Sequence, residues 1–156
     1  MKRYKVYKIV AVDRKNTSIK RSFVLDRDSS FCLHYSTDHY TVPKKDSLIL
    51  TFGKKIDAQL FANDEGFSRP AGFSGGYGYT CEIWEAVSHW KPVPVLVICE
   101  VQSDIFKRFW ETWNKMSLSV RTEYLYHHFS RTRNAPSGTL GCKDLKLVRK
   151  VTTLTK

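Results

Sequence analysis

Aromatic and basic side chains alternate in two stretches of this chain. Tyr126, His128, Phe129, Arg131 and Arg133 fall within one segment, and Phe67, Arg69, Phe73, Tyr77 and Tyr79 within another. Flat rings stack on nucleobases for roughly 1–3 kcal/mol each, and guanidinium groups contact phosphates and sit over ring faces. The two stretches therefore supply candidate contacts to a phosphate-bearing ligand: a nucleotide, an oligonucleotide or nucleic acid. The same composition arises where rings seal a core beneath solvent-facing arginines, so the pattern fits a structural role as well. Lys54 and Lys55 add candidate phosphate contacts. They precede a short helix whose positive dipole end disfavours cations unless an anion sits there. Two lysines exposed to water are the plainer explanation.

Other chemistry-bearing residues are placed less tellingly. Glu82 and Glu85 invite an acid/base reading, yet residues three apart on a strand point to opposite faces. His127 and His128 offer a base or a metal ligand without a third ligand at fixed spacing. Cys32, Cys81, Cys99 and Cys142 are scattered and read as reduced core thiols. Gly75-Gly76-Tyr77-Gly78 lacks the lysine and the spacing of a phosphate-transfer loop, and no nucleophile elbow occurs. The residues thus nominate no catalytic group, no metal and no cofactor, and favour a non-enzymatic binding protein.

The elements that must position these residues follow from apolar patterning. Residues 3–12 read as a strand with one wet face at its start, and 19–25 as a second strand, the two joined in a hairpin. Residues 48–52 form a buried strand ended by Gly53, and 56–63 a short helix with Ile56, Leu60 and Phe61 facing the sheet. Residues 66–79 hold five of the eight glycines among four aromatics, a long loop of the kind that is uncommon without a function. Residues 79–87 alternate as a strand, 88–92 form a turn, and 93–101 are the strongest candidate for a central strand, with Pro94 at its beginning. Residues 103–116 place Ile105, Phe106, Phe109, Trp110, Trp113 and Met116 on one stripe of a helix. Residues 117–144 carry no clear pattern apart from a turn at 134–138, and 145–151 close the chain as a strand. The expected fold is one basic α+β domain over 1–156: a twisted, mainly antiparallel sheet backed by one long and one short helix.

The chain of 156 residues carries a net charge of +11, unevenly spread. Residues 1–55 hold thirteen Lys/Arg against five Asp/Glu, 56–106 two against seven, and 107–156 eleven against three. Such basic outer thirds concentrate anions, which makes nucleotides, nucleic acid or an acidic protein natural partners. No apolar run reaches the roughly 18 residues of a membrane span, and the N-terminus lacks a signal-peptide core. The expected location is the cytoplasm, with no membrane partner.

Several short stretches carry a resemblance. Leu50-Thr51-Phe52 followed by Asp57-Ala58-Gln59-Leu60-Phe61-Ala62, then Cys81-Glu82-Ile83-Trp84-Glu85-Ala86, and finally Ala135-Pro136-Ser137-Gly138-Thr139 before Leu145-Lys146-Leu147-Val148, resemble small accessory proteins of tailed bacteriophages. The resemblance implies a host-takeover or anti-defence factor acting in the host cytoplasm, with a host defence protein as a further partner. It leaves open a second function, a protein-binding inhibitor whose basic face covers a host enzyme. The strand–helix–strand layout is also similar to ADP-ribosyltransferase-like folds, which would imply an enzyme consuming NAD. The arginine, Ser-Thr-Ser and Glu-x-Glu set of those enzymes is not matched, and Glu82 and Glu85 stand at a different spacing.

Overall fold

The computed structural model describes residues 2–13, 15–22, 33–43, 47–63, 79–99 and 132–154. Its organising strand is β1, Tyr4–Asp13, where the β-branched residues Val6, Ile9, Val10 and Val12 suit a pleated surface buried on both sides. Strand β2, Lys20–Ser22, pairs with its far end, and β3, Ile49–Phe52, meets it at Tyr7. Helix α1, Lys55–Phe61, follows, and β4, Tyr79–Ser88, then runs antiparallel to the whole of β1, from Tyr4 opposite Ser88 to Asp13 opposite Tyr79. Strands β5, Val93–Pro94, and β6, Val97–Cys99, precede β7, Thr132–Asn134, β8, Thr139–Cys142, and β9, Lys146–Leu154.

Seven strands form one antiparallel sheet in the order β5-β8-β3-β1-β4-β9, with β2 also on β1, and β6 pairs with β7 in a separate two-stranded ribbon. One face of the large sheet packs Ile9, Ala11, Phe52, Cys81 and Ile83 against Ala58 and Ala62 of the α1 segment. On the opposite face Val6, Val10, Val12, Ala86 and Leu147 pack with Tyr35 and Ile49, and Leu33 lies against them. Backbone bonds hold the segment carrying Tyr35 in place. Tyr35 N–H donates to Lys20 O at 2.7 Å, and Leu147 N–H to Ser36 O at 2.9 Å.

Three expectations need correction. Helix α1 does not turn Ile56 and Leu60 to the sheet: they are exposed, and the small Ala58 and Ala62 make that contact. The sheet is not backed by a long and a short helix: among the described residues there is one α-helix, of seven residues, on a sheet of seven strands. The stretch 103–116 lies outside the described residues. The apolar run 93–101 is also not a central strand. Pro94 cannot donate to a ladder on both sides, so Val93–Pro94 occupies the sheet edge beside β8, and the chain then leaves to form β6 in the ribbon. Val93 and Leu96 are exposed at 45% and 79%. The hydrophobic centre belongs instead to β1, although it carries the buried Lys8, whose ammonium donates to Leu50 O at 2.8 Å.

Candidate anion-binding site

Among the described residues a dense polar arrangement lies at the end of the sheet where β4 leaves and β9 enters. Asp144, in the turn between β8 and β9, is 6% exposed. A buried carboxylate is costly unless donors surround it, and this one has three. Ser88 Oγ donates to Oδ1 at 2.8 Å, His89 N–H to Oδ1 at 2.9 Å, and His89 Nδ1 to Oδ2 at 2.6 Å. Burial pushes the Asp144 carboxyl up, but the bonds from His89 and Ser88 outweigh it and hold the group below the usual carboxylate range. An ionised carboxylate only accepts, so His89 Nδ1 carries a proton. The imidazole is fixed in orientation, and Nε2 is left without a described partner.

This is not a nucleophile triad. Ser88 donates to the carboxylate rather than to the imidazole, and its oxygen accepts Trp90 N–H at 3.2 Å. With no base on its proton, Ser88 is not activated. Among the described residues no group of three or more His, Cys, Asp or Glu side chains is placed to hold a metal.

Rings and cations surround His89. The Tyr40 ring lies 3.8 Å from the imidazole, centroid to centroid, tilted by 31°. A backbone bridge sets Tyr40 there, with Thr41 N–H donating to Leu145 O at 2.8 Å and Leu145 N–H returning to Thr41 O at 2.9 Å. Lys146 Nζ stands 5.3 Å from the Tyr40 centroid and Lys143 Nζ 5.6 Å from that of Trp90, within cation–π range. Trp90 is 59% exposed. The Tyr40 hydroxyl is buried and has no hydrogen-bond partner among the described residues. Imidazole, two ammonium groups and an exposed indole thus share one end of the sheet, and the carboxylate among them is already saturated.

The residues nominated from sequence are distributed differently. Phe67, Arg69, Phe73, Tyr77, Tyr126, His128 and Arg131 lie outside the described residues. Tyr79 opens β4 opposite Asp13, and Arg133 lies in β7 opposite Ile98. Lys54 and Lys55 are exposed at the start of α1, where Asp57 already supplies a negative charge in the first turn. So short a helix builds no anion site of its own. Glu82 and Glu85 lie on opposite faces of β4. Glu82 accepts Trp84 Nε1–H at 2.9 Å with Lys150 at 3.7 Å, and Glu85 pairs with Arg149 at 2.7 Å. They do not form an acid/base pair.

Sequence reasoning missed Tyr40, His89, Lys143, Asp144 and Lys146 as a group. The chain leaves β4 after Ser88, near the turn read at 88–92, but no spacing links position 89 to 40 or 144. The available signal is a lone acid, Asp144, set among the apolar Cys142, Leu145 and Leu147. No protein-family model, curated protein or solved structure matches this chain. No described helix is long and apolar enough to cross a membrane.

Proposed function

We propose that the protein captures a phosphate-bearing ligand, a nucleotide or nucleic acid, at the His89–Lys143–Lys146 end of the sheet, as a binding protein rather than an enzyme. One observation carries the reading: the carboxylate at this end, Asp144, is buried and spent on Ser88 and His89, and no described carboxylate forms an ion pair with Lys143 or Lys146. The two ammonium groups are therefore available to an incoming anion, and Trp90 offers a flat face for a base. In this reading the protein is an accessory factor of the host cytoplasm, as the resemblance to tailed-phage proteins implies.

The test is fluorescence anisotropy with a labelled oligonucleotide, alongside calorimetry with ATP, for the protein and for Lys143→Ala combined with Lys146→Ala. Both lysine stems leave the sheet core intact, so circular dichroism should be unchanged. The expected result is binding at low salt that weakens in the variant, with the slope of log affinity against log salt reduced by about 1–2. Absence of binding to either ligand at low salt, or unchanged affinity in a folded variant, refutes the proposal.

A further inference from the structure

Among the described residues the helix face of the sheet packs on the α1 segment at Ile9, Ala11, Phe52, Cys81 and Ile83, with Tyr7 at the edge of that cluster. Nearer the His89 end the strand register lays out two further rows on that face. Lys5, Val87 and Lys146 stand side by side in the first row, and Tyr7, Glu85 and Arg149 in the next. Lys5 is exposed, and the Arg149 side chain is 70% exposed. Lys146 and Arg149 oppose β4 residues two apart, which spaces their rows by about 7 Å. That is close to one backbone step of an extended nucleic-acid strand.

We infer that the ligand is single-stranded nucleic acid, laid across these rows of the helix face from the His89–Trp90 end of the sheet to Arg149. This rests on the phosphate-capture reading and names its ligand. A free nucleotide is held by a pocket that encloses most of its surface. Here the groups form an open track: Trp90 is 59% exposed, and the cations continue across two rows beyond it. A track of cations flanked by ring faces suits a strand whose unpaired bases can stack. A duplex offers its phosphates but keeps its base faces inside. The one carboxylate in the two rows, Glu85, already holds Arg149, and the remaining guanidinium N–H groups stay available to phosphate.

The experiment measures anisotropy for labelled oligothymidylates and oligouridylates of about 4 to 16 nucleotides, the range single-domain surfaces cover. Blunt duplexes of matching length and ATP are run beside them. Affinity should climb with length and then level off, and duplex and ATP should bind at least tenfold more weakly. Lys5→Ala combined with Arg149→Ala should cost roughly tenfold on the long single strands while leaving ATP binding unchanged. Glu85→Gln removes a negative charge from the track and should tighten strand binding, an effect a merely structural ion pair would not produce. If ATP binds as tightly as the longest strand, or the duplex matches it, the inference falls while phosphate capture stands. If none of the probes binds, both fall and an acidic protein becomes the partner to seek. Deoxy and ribo series that differ would show which sugar the track reads.

Discussion

Asp144 is the residue whose replacement tests the site most directly. Alanine there would remove the acceptor for three hydrogen bonds, at 2.6, 2.8 and 2.9 Å, and leave the His89 backbone N–H and Nδ1–H without it, while the Ser88 hydroxyl keeps Trp90 O at 3.0 Å. Each buried donor left without an acceptor costs about 1–3 kcal/mol, a substantial part of the roughly 5–15 kcal/mol that holds a typical domain. Asparagine is the sharper probe. Its oxygen can still accept from Ser88 and from His89 N–H, but its amide presents donors to a ring nitrogen that is itself a donor. One charge-assisted bond is lost, about 1.5–3 kcal/mol, and His89 must move its proton to Nε2 or swing away. Urea unfolding should order the proteins wild type, Asp144→Asn, Asp144→Ala, and nitrogen-15 shifts of His89 should report the change of tautomer. The acid dependence has a definite sign. Because the folded carboxyl titrates below its ordinary value of 3.8, its stabilisation is complete above that value and is lost as pH falls through the lower folded one. Asp144→Asn should flatten that acid slope. An alanine variant within about 1 kcal/mol of wild type, or a His89 tautomer indifferent to asparagine, would refute the lock.

Two further outcomes follow from the packing. Gly138 has φ of 80°, and a Cβ there would lie 2.8 Å from Asp57 Cγ. Gly138→Ala should cost about 2 kcal/mol in urea unfolding, with part recovered when Asp57→Ala removes the clash; a neutral variant would show that the turn is not constrained. Burial, with Glu82 adding to it, pushes the Cys81 thiol up to about 12, and burial also raises Cys142. Iodoacetamide at mildly alkaline pH should leave both unmodified in the folded protein and modify both in urea, read by peptide mass mapping; rapid native labelling of either would contradict the packing.

Where local pattern decides structure, the chain is readable. The alternation around Tyr4, Val6 and Lys8, and again from Tyr79 to Val87, announces β1 and β4; the spacing of Ile56, Leu60 and Phe61 announces α1 but not its face, since Ala58 and Ala62 are the buried positions and Ile56 and Leu60 are exposed. Pattern fails where partner choice decides. The run from Val93 to Val101 is more apolar than β1, yet β1 is central because its partners β3 and β4 flank it, whereas Pro94 consigns its own stretch to the edge. Strand β8 hides in Thr139-Leu140-Gly141-Cys142, four residues with one glycine, and exists because its full length pairs with β3. The Asp144–His89 contact spans 55 residues and obeys no motif, since a turn at one strand's end meets a turn at another's start.

The same limit governs the proposed track, and it is sharpest at Val148. By simple alternation Lys146 and Arg149, three apart, belong on opposite faces of β9, and a reading of the sequence would keep them there. The pairing with β4 says otherwise: Ala86 faces Leu147 while Glu85 faces Arg149, so Val148 is an extra residue, and Val151 is a second one between Lys150 and Thr152. A bulge rephases a strand by one residue. It turns an odd spacing into an even one, carries Arg149 onto the face of Lys146, and leaves Val148 half exposed as the residue that was passed over. A bulge also twists an outer strand and discourages edge-to-edge pairing, as do the cations along this one. The irregularity that spoils β9 as a template for another strand is therefore the same one that brings Lys146 and Arg149 onto one face, as the proposed track requires.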